Sequence, residues 1–217
     1  MKTLVVAVHP DDETLACGGT LLKHRTAGHE QHWAIVTTSA AGHPATVGRT
    51  ARIAQVAEAF GFTGVHDCQF PTTRLDTVPM GDLVEAIAGI FNTVRPEVVY
   101  LPFSNDVHSD HRVMSAAALS CTKSFRFPFL RRILMMETIS ETDFASPLLG
   151  AVFAPNVLVD VSAHFEEKLH IAEIYRDELG THPFPRSLED LKALAMLRGA
   201  MAGCRYAEGF MLAREIS

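Results

Sequence analysis

The run Val5-Val6-Ala7-Val8 ends abruptly in His9-Pro10-Asp11-Asp12-Glu13, one imidazole and three carboxylates in five residues. An unbroken apolar stretch of that length and valine content predicts a strand covered on both faces, as in a parallel sheet. Pro10 ends the strand and sets the backbone for a turn. Asp12 is then expected at the N-cap of a helix from Glu13 to Thr26. Ionisable groups gathered at the end of a buried strand have two explanations. Either Asp12 caps the helix and the rest is solvated turn, or His9 and a carboxylate hold a metal while the other carboxylate moves protons.

The pattern that follows alternates strand and helix. Strands are predicted over Gln31 to Thr37, Val65 to Phe70 and Glu97 to Pro102. Helices are predicted over Val47 to Phe60, where Gly61 closes the end, and over Met80 to Val94, which Arg95-Pro96 terminates. Ser39-Ala40-Ala41-Gly42-His43-Pro44 reads as a loop of small residues. This βαβαβαβ order predicts an α/β fold, a Rossmann-like, doubly wound, mostly parallel sheet with right-handed crossovers. The second half is less regular. Helices are expected over Val107 to Ser120, Ala163 to Asp177 and Leu188 to Gly203. Strands are expected over Arg131 to Glu137, Asn156 to Val161 at an edge, and Tyr206 to Ala213. The Pro-rich His182-Pro183-Phe184-Pro185 links the last two helices. No repeat or linker divides the 217 residues, so one domain over residues 1–217 is expected.

Composition narrows the function classes. A net charge of -6 gives no basic surface for nucleic acid or anionic lipid. No apolar run is long enough for a membrane span, and Met1-Lys2-Thr3 runs directly into a strand, so a cytoplasmic protein without a signal peptide is expected. The four cysteines, Cys17, Cys68, Cys121 and Cys204, show no CxxC pairing and are expected to be buried free thiols. Eleven histidines direct attention to metal.

A second constellation, Asp106-Val107-His108-Ser109-Asp110-His111, follows the fourth strand as the first follows strand one. His108 and His111 are three apart and share a helix face. A helix start capped by Asp106 is the plainer explanation. Topology favours the other. In the common doubly wound order, strands one and four are neighbours, and ligands bind where the order reverses, beyond the carboxyl ends of the strands. The two clusters then face one crevice, which favours metal catalysis over capping. Two imidazoles and a carboxylate with an open position make a hydrolytic Zn2+ site and also suit Fe2+. Dinucleotide binding is disfavoured, since Gly18-Gly19 falls inside the first helix and no GxGxxG follows strand one.

HPDDE after the first strand, paired with HSDH after the fourth, resembles the LmbE-like (PIG-L) family of zinc-dependent N-acetylglucosamine deacetylases. The resemblance extends to Arg49, Asn156, Arg198-Gly199 and Tyr206-Ala207-Glu208. It implies that His9, Asp12 and His111 bind zinc, that Asp11 is the general base, and that His108 stabilises the oxyanion or protonates the leaving amine. Asp110 would orient an imidazole. It also implies a homo-oligomer acting on a small-molecule N-acetyl amino sugar. Arg52 stands where relatives often carry Glu, and Thr72-Thr73 where they often carry Asp-Asn, departures that bear on substrate rather than chemistry. Arg49 is a candidate for a sugar hydroxyl or phosphate, or else a solvated helix-start charge. Asp106 either orients a ligand histidine or caps a helix, and Glu208 either anchors a loop or reaches the pocket. His43, His66, His164, His170 and His182 are not expected to be ligands. Trp33, Met135 and Met136 are assigned to the core. The expected reaction is hydrolysis of an N-acetyl group. The other readings are a metal-dependent amidase on a non-sugar amide and a non-catalytic metal or sugar-nucleotide binding protein.

Overall fold

The computed structural model describes residues 1–40, 42, 43, 46–148 and 150–217, so Ala41 and Pro44 of the small-residue loop lie outside the described residues. In chain order the elements are β1 (Lys2–Ala7), α1 (Asp12–Thr26), β2 (Glu30–Thr38), α2 (Arg49–Phe60), β3 (Gly64–Pro71), α3 (Met80–Val94), β4 (Val98–Leu101), α4 (Ser109–Ser120), β5 (Arg132–Met136), β6 (Val157–Asp160), α5 (Phe165–Ala172), α6 (Leu188–Ala202) and β7 (Ala207–Glu215). The described residues form a seven-stranded sheet in the order β3-β2-β1-β4-β5-β7-β6. Strands β1 to β5 pair in parallel, while β7 runs antiparallel to both β5 and β6.

The two-sided burial expected of β1 has a direct cause. Leu4, Val6 and Val8 point into one apolar cluster with Leu83, Ile87 and Phe91 of α3 and Met114 of α4. Val5 and Ala7 point into another with Leu21 and Leu22 of α1 and Val56 and Phe60 of α2. Helices therefore cover both faces of the sheet, and the alternate residues of β1 serve different cores. Trp33 and Met136 are buried in the second cluster and Met135 in the first. All four cysteines are free, with Cys17 and Cys121 buried and Cys68 and Cys204 only partly so. No described helix is long and apolar enough to cross a membrane.

Two helices differ from their sequence patterns. The helix expected over Ala163 to Asp177 is α5 followed by a 3-10 turn, Glu173–Tyr175. Helix α1 is kinked at Cys17, whose φ/ψ of -138°/19° is not helical. A buried ion pair inserted into its hydrogen-bond ladder accounts for the kink. Glu208 accepts from the Gly19 and Thr20 N–H groups at 2.8 and 2.7 Å and from the Thr20 hydroxyl at 2.6 Å. Lys168 donates to Glu208 at 2.7 Å and to the Leu15 carbonyl at 2.9 Å, the acceptor that Gly19 would otherwise have used. Glu208 thus caps the second half of α1 from within. A Cβ on Gly19 would come within 2.7 Å of Val161, so the helix can approach that residue only without a side chain there.

Candidate metal centre

Beyond the carboxyl end of β1, the turn holds its acids by backbone hydrogen bonds rather than releasing them to solvent. Asp12 does not cap α1 as its sequence position suggests. It is the first helical residue, and its Oδ2 turns back to accept from the Val8 and His9 N–H groups at 2.8 and 2.9 Å. Asp11 occupies the cap position at φ 153°, a conformation costly for a non-glycine residue, by about 1–3 kcal/mol. Its carbonyl accepts from the Thr14 and Leu15 N–H groups, both at 2.9 Å, and its own N–H donates to Glu13 Oε2 at 3.2 Å. Glu13 is fully buried and also accepts from the hydroxyls of Thr14 at 2.6 Å and Tyr175 at 3.0 Å. Burial pushes its carboxyl up to about 8.

The order of the sheet reverses between β1 and β4, and α4 brings its cluster to the same crevice. Asp106 does not cap α4. It is fully buried, its Oδ2 lies 2.8 Å from His111 Nδ1, and its Oδ1 accepts from the Thr142 hydroxyl at 2.7 Å. The cap is His108, whose Nδ1 accepts from the Asp110 N–H at 3.1 Å. Asp110 accepts the Thr73 and Leu75 N–H groups at 2.6 and 3.1 Å, pinning the segment after β3, and its Oδ2 lies 3.6 Å from His9 Nε2.

One ligand atom each from His9, Asp12 and His111 lies within 4.8 Å of the other two, and the same holds for His9, His108 and Asp110. The first set fits a metal better. The Asp106 carboxylate beside His111 Nδ1 favours the tautomer with its lone pair on Nε2, an arrangement typical of metal-binding histidines. Among the described residues, that Nε2 is buried without a hydrogen-bond partner, as is His9 Nε2, and it lies 3.3 Å from Asp12 Oδ2. Unpartnered buried nitrogens are costly unless something else meets them. In the second set both Asp110 oxygens and His108 Nδ1 already accept backbone N–H groups, whereas in the first those donors fall on Asp12 Oδ2. Neighbouring imidazoles also lower Asp12 below the usual carboxylate range, although burial opposes this.

Asp11 stands beside this cluster with a different environment. Burial, reinforced by the charge of Asp12, raises it to about 7, while Arg186 and His9 pull the other way. Arg186 donates to Asp11 Oδ2 at 3.2 Å, to Glu141 Oε1 at 3.3 Å and to Ser140 Oγ at 2.8 Å. Burial and the nearby His9 and His111 lower His108 to about 4. A neutral His108 with Nδ1 accepting must carry its proton on Nε2.

His9, Asp11 and His108 line a cavity of about 260 Å³ together with Arg49, Arg52, Glu178 and Arg186. Arg49 forks onto Asp67, with N–O distances of 2.6 and 3.0 Å, and donates to the Thr37 carbonyl at 3.1 Å. His43 and Thr72 also line this cavity, while Glu208 is spent inside the fold and does not. Arg186, Tyr175, Glu141 and Thr142 were not singled out from the sequence. They stand in the second half of the chain with no local motif around them, and the Pro-rich run before Arg186 marks a turn without indicating where it leads.

The family model described as GlcNAc-PI de-N-acetylase, PIG-L, matches residues 4–122, which contain both acid-and-histidine clusters. The chain is 23% identical to the diacetylchitobiose deacetylase of Thermococcus kodakarensis over 96% of its own length and 81% of that protein. It is 30% identical to the 1D-myo-inositol 2-acetamido-2-deoxy-alpha-D-glucopyranoside deacetylase of Kribbella flavida over 58% of this chain and 56% of that protein. Its fold superposes on the conserved protein TT1542 from Thermus thermophilus with a TM-score of 0.79 at 26% identity, covering 99% of this chain and 96% of the other. With more than half of its length matched, and both clusters inside the match, this chain belongs to the PIG-L, or GlcNAc-PI de-N-acetylase, family.

Proposed function

We propose that this chain, as one domain over residues 1–217, hydrolyses the N-acetyl group of an N-acetylated amino sugar or its conjugate, releasing acetate and the free amine. The observation that carries the reading is the pairing of a candidate ligand cluster, His9, Asp12 and His111, with a further carboxylate, Asp11, at a cavity that His9 and Asp11 line. A binding protein has no use for that second carboxylate. The names of the two curated relatives, both deacetylases of acetamido sugars, support the same substrate class.

His9, Asp12 and His111 would hold Zn2+, with Fe2+ the other ion this donor set accepts. A divalent ion there supplies Lewis-acid polarisation of the amide carbonyl and brings the ionisation of water to about pH 7. Asp11 takes the proton from water as its oxygen bonds to the acetyl carbon. A base raised to about 7 suits that transfer near neutrality. His108 donates its Nε2–H to the oxygen on which negative charge develops, a role for neutral imidazole rather than imidazolium. Asp11 then returns the proton to the sugar nitrogen as the C–N bond breaks, leaving acetate and amine. Asp110 fixes His108 through its backbone N–H and stands beside His9. Arg49 spends three of its five N–H groups on Asp67 and Thr37, leaving the others for a sugar hydroxyl.

The test is acetate and primary-amine release from N-acetylglucosamine conjugates by metal-loaded protein. Asp11→Ala is expected to retain metal and lose turnover by about 10²–10⁴-fold. Near wild-type turnover in the metal-loaded variant would remove Asp11 from its role. No acetate from any acetamido sugar would overturn the reading.

A further inference from the structure

Three arginines line the catalytic cavity, and their engagements differ. Arg49 is locked in a fork with Asp67, and Arg186 is divided among Asp11, Glu141 and Ser140. Among the described residues, the Arg52 side chain has one ion pair, a 3.5 Å contact with Asp177, whose side chain is 72% exposed. An ion pair of that length to a solvated carboxylate contributes little and yields readily to a better partner.

Arg52 also has a singular place. It lines both the catalytic cavity and an open basin of about 480 Å³. His170, Glu173, Arg176 and Asp177 share that basin. Arg176 is exposed, and no ion pair is formed by its side chain among the described residues. Glu173 and Asp177 are exposed acids whose charges solvent screens. Glu178 lines the catalytic cavity and not the basin. Asp11 and Arg52 line the same cavity, so a substrate whose acetamido group reaches Asp11 lies within that shared wall.

Resting on the deacetylase reading, we propose that the preferred substrate is an acidic conjugate, a phosphate or carboxylate on the aglycone side of the sugar, and that Arg52, which both cavities share, pairs with that group. A guanidinium presents N–H groups in a fixed fork matched to either oxyanion.

The experiment is calorimetric titration of the metal-loaded full chain with three probes, methyl N-acetylglucosaminide, N-acetylglucosamine 1-phosphate and carboxymethyl N-acetylglucosaminide. The Asp11→Asn background prevents turnover. Arg52→Gln and Arg52→Glu in that background are compared once thermal melts show that each is folded. At low salt the protein carrying Arg52 should bind one or both acidic probes about tenfold more tightly than the methyl glycoside, and added NaCl should narrow the gap. The two acidic probes distinguish phosphate from carboxylate. The preference should disappear in Arg52→Gln and invert in Arg52→Glu. Equal affinity for neutral and acidic probes when Arg52 is present would overturn the proposal without any variant, as would a preference that survives Arg52→Gln. Acetate release is assayed separately with wild type. Turnover of the neutral glycoside without acidic preference would sink the role of Arg52 and leave the deacetylase reading standing. Acidic preference without acetate release from any probe would do the reverse.

Discussion

Adjacent carboxylates in one turn acquire opposite properties from their partners. Asp12 receives two backbone N–H groups and faces imidazoles, which hold it ionised, whereas Asp11 is buried beside that charge and is pushed up to about 7. Asp106 holds His111 at Nδ1 and leaves Nε2 for a ligand, while its other oxygen is held by the Thr142 hydroxyl. Asp106→Asn should therefore weaken metal binding by about 10–100-fold while the protein stays folded. Metal content after dialysis against a competing chelator measures this, and unchanged affinity would leave Asp106 a purely structural acid. On the proposed ligand set, His9→Ala, Asp12→Ala and His111→Ala should each lose the metal outright, since three protein ligands leave no redundancy. In its proposed role, His108→Ala should keep the metal and lose kcat far more than affinity, because its N–H would meet charge that develops only during the reaction. A metal-free His108→Ala protein would make His108 a ligand. Of these residues, His9, Asp11, Asp12, His108 and His111 stood out in the sequence because each motif is contiguous. Arg186 could not, since it meets Asp11 from 175 positions away.

At the scale of elements, most of the architecture was written in local patterns. Strand β1 reads as an apolar run because both its faces are covered, and Gly61 and Gly203 close α2 and α6 at positive φ. The kink in α1 was not legible, because its cause arrives from α5 and β7. Neither Lys168 nor Glu208 signals locally that one will cap Leu15 and the other Gly19 and Thr20. The same long-range origin predicts a large energetic effect. Glu208→Ala would leave the Lys168 ammonium buried without its counter-charge and two helix N–H groups without an acceptor. The expected loss is about 3–5 kcal/mol, typical of breaking one side of a buried pair. Lys168→Met, which removes the cation and keeps its length, leaves Glu208 buried with three donors and should cost less. Urea unfolding of both variants compares them, and a Glu208→Ala loss below that of Lys168→Met would contradict this account of the kink.

For the molecule as a whole, the two ends of the sheet respond to protons in opposite senses. At the catalytic end, Glu13 has a folded pKa of about 8, so the native state holds its proton more tightly than the unfolded chain does. That contribution to stability is full at low pH and fades as pH rises towards 8. His24, in the last turn of α1, has the reverse behaviour. Its Nδ1 lies 2.8 Å from His29 Nδ1 and its Nε2 lies 2.7 Å from the Tyr100 hydroxyl of β4. Burial and the adjoining His29 lower it from 6.5 to about 4, so the unfolded chain binds the proton more readily across that interval. Unfolding therefore takes up a proton between pH 6.5 and 4, and the native state loses stability as pH falls through that window. Because Glu13 masks this trend in the wild type, the informative quantity is a difference. His24→Gln removes the titration, so the stability of wild type minus that of the variant should decline as pH falls from about 6.5 to about 4 and be flat above about 7.5. Thermal melts at matched ionic strength give the difference directly. A difference that stays level from about pH 7.5 to about 4.5 would mean that His24 is as free to take a proton in the folded chain as in the unfolded one. The packing of α1 against β4 would then exert no such control.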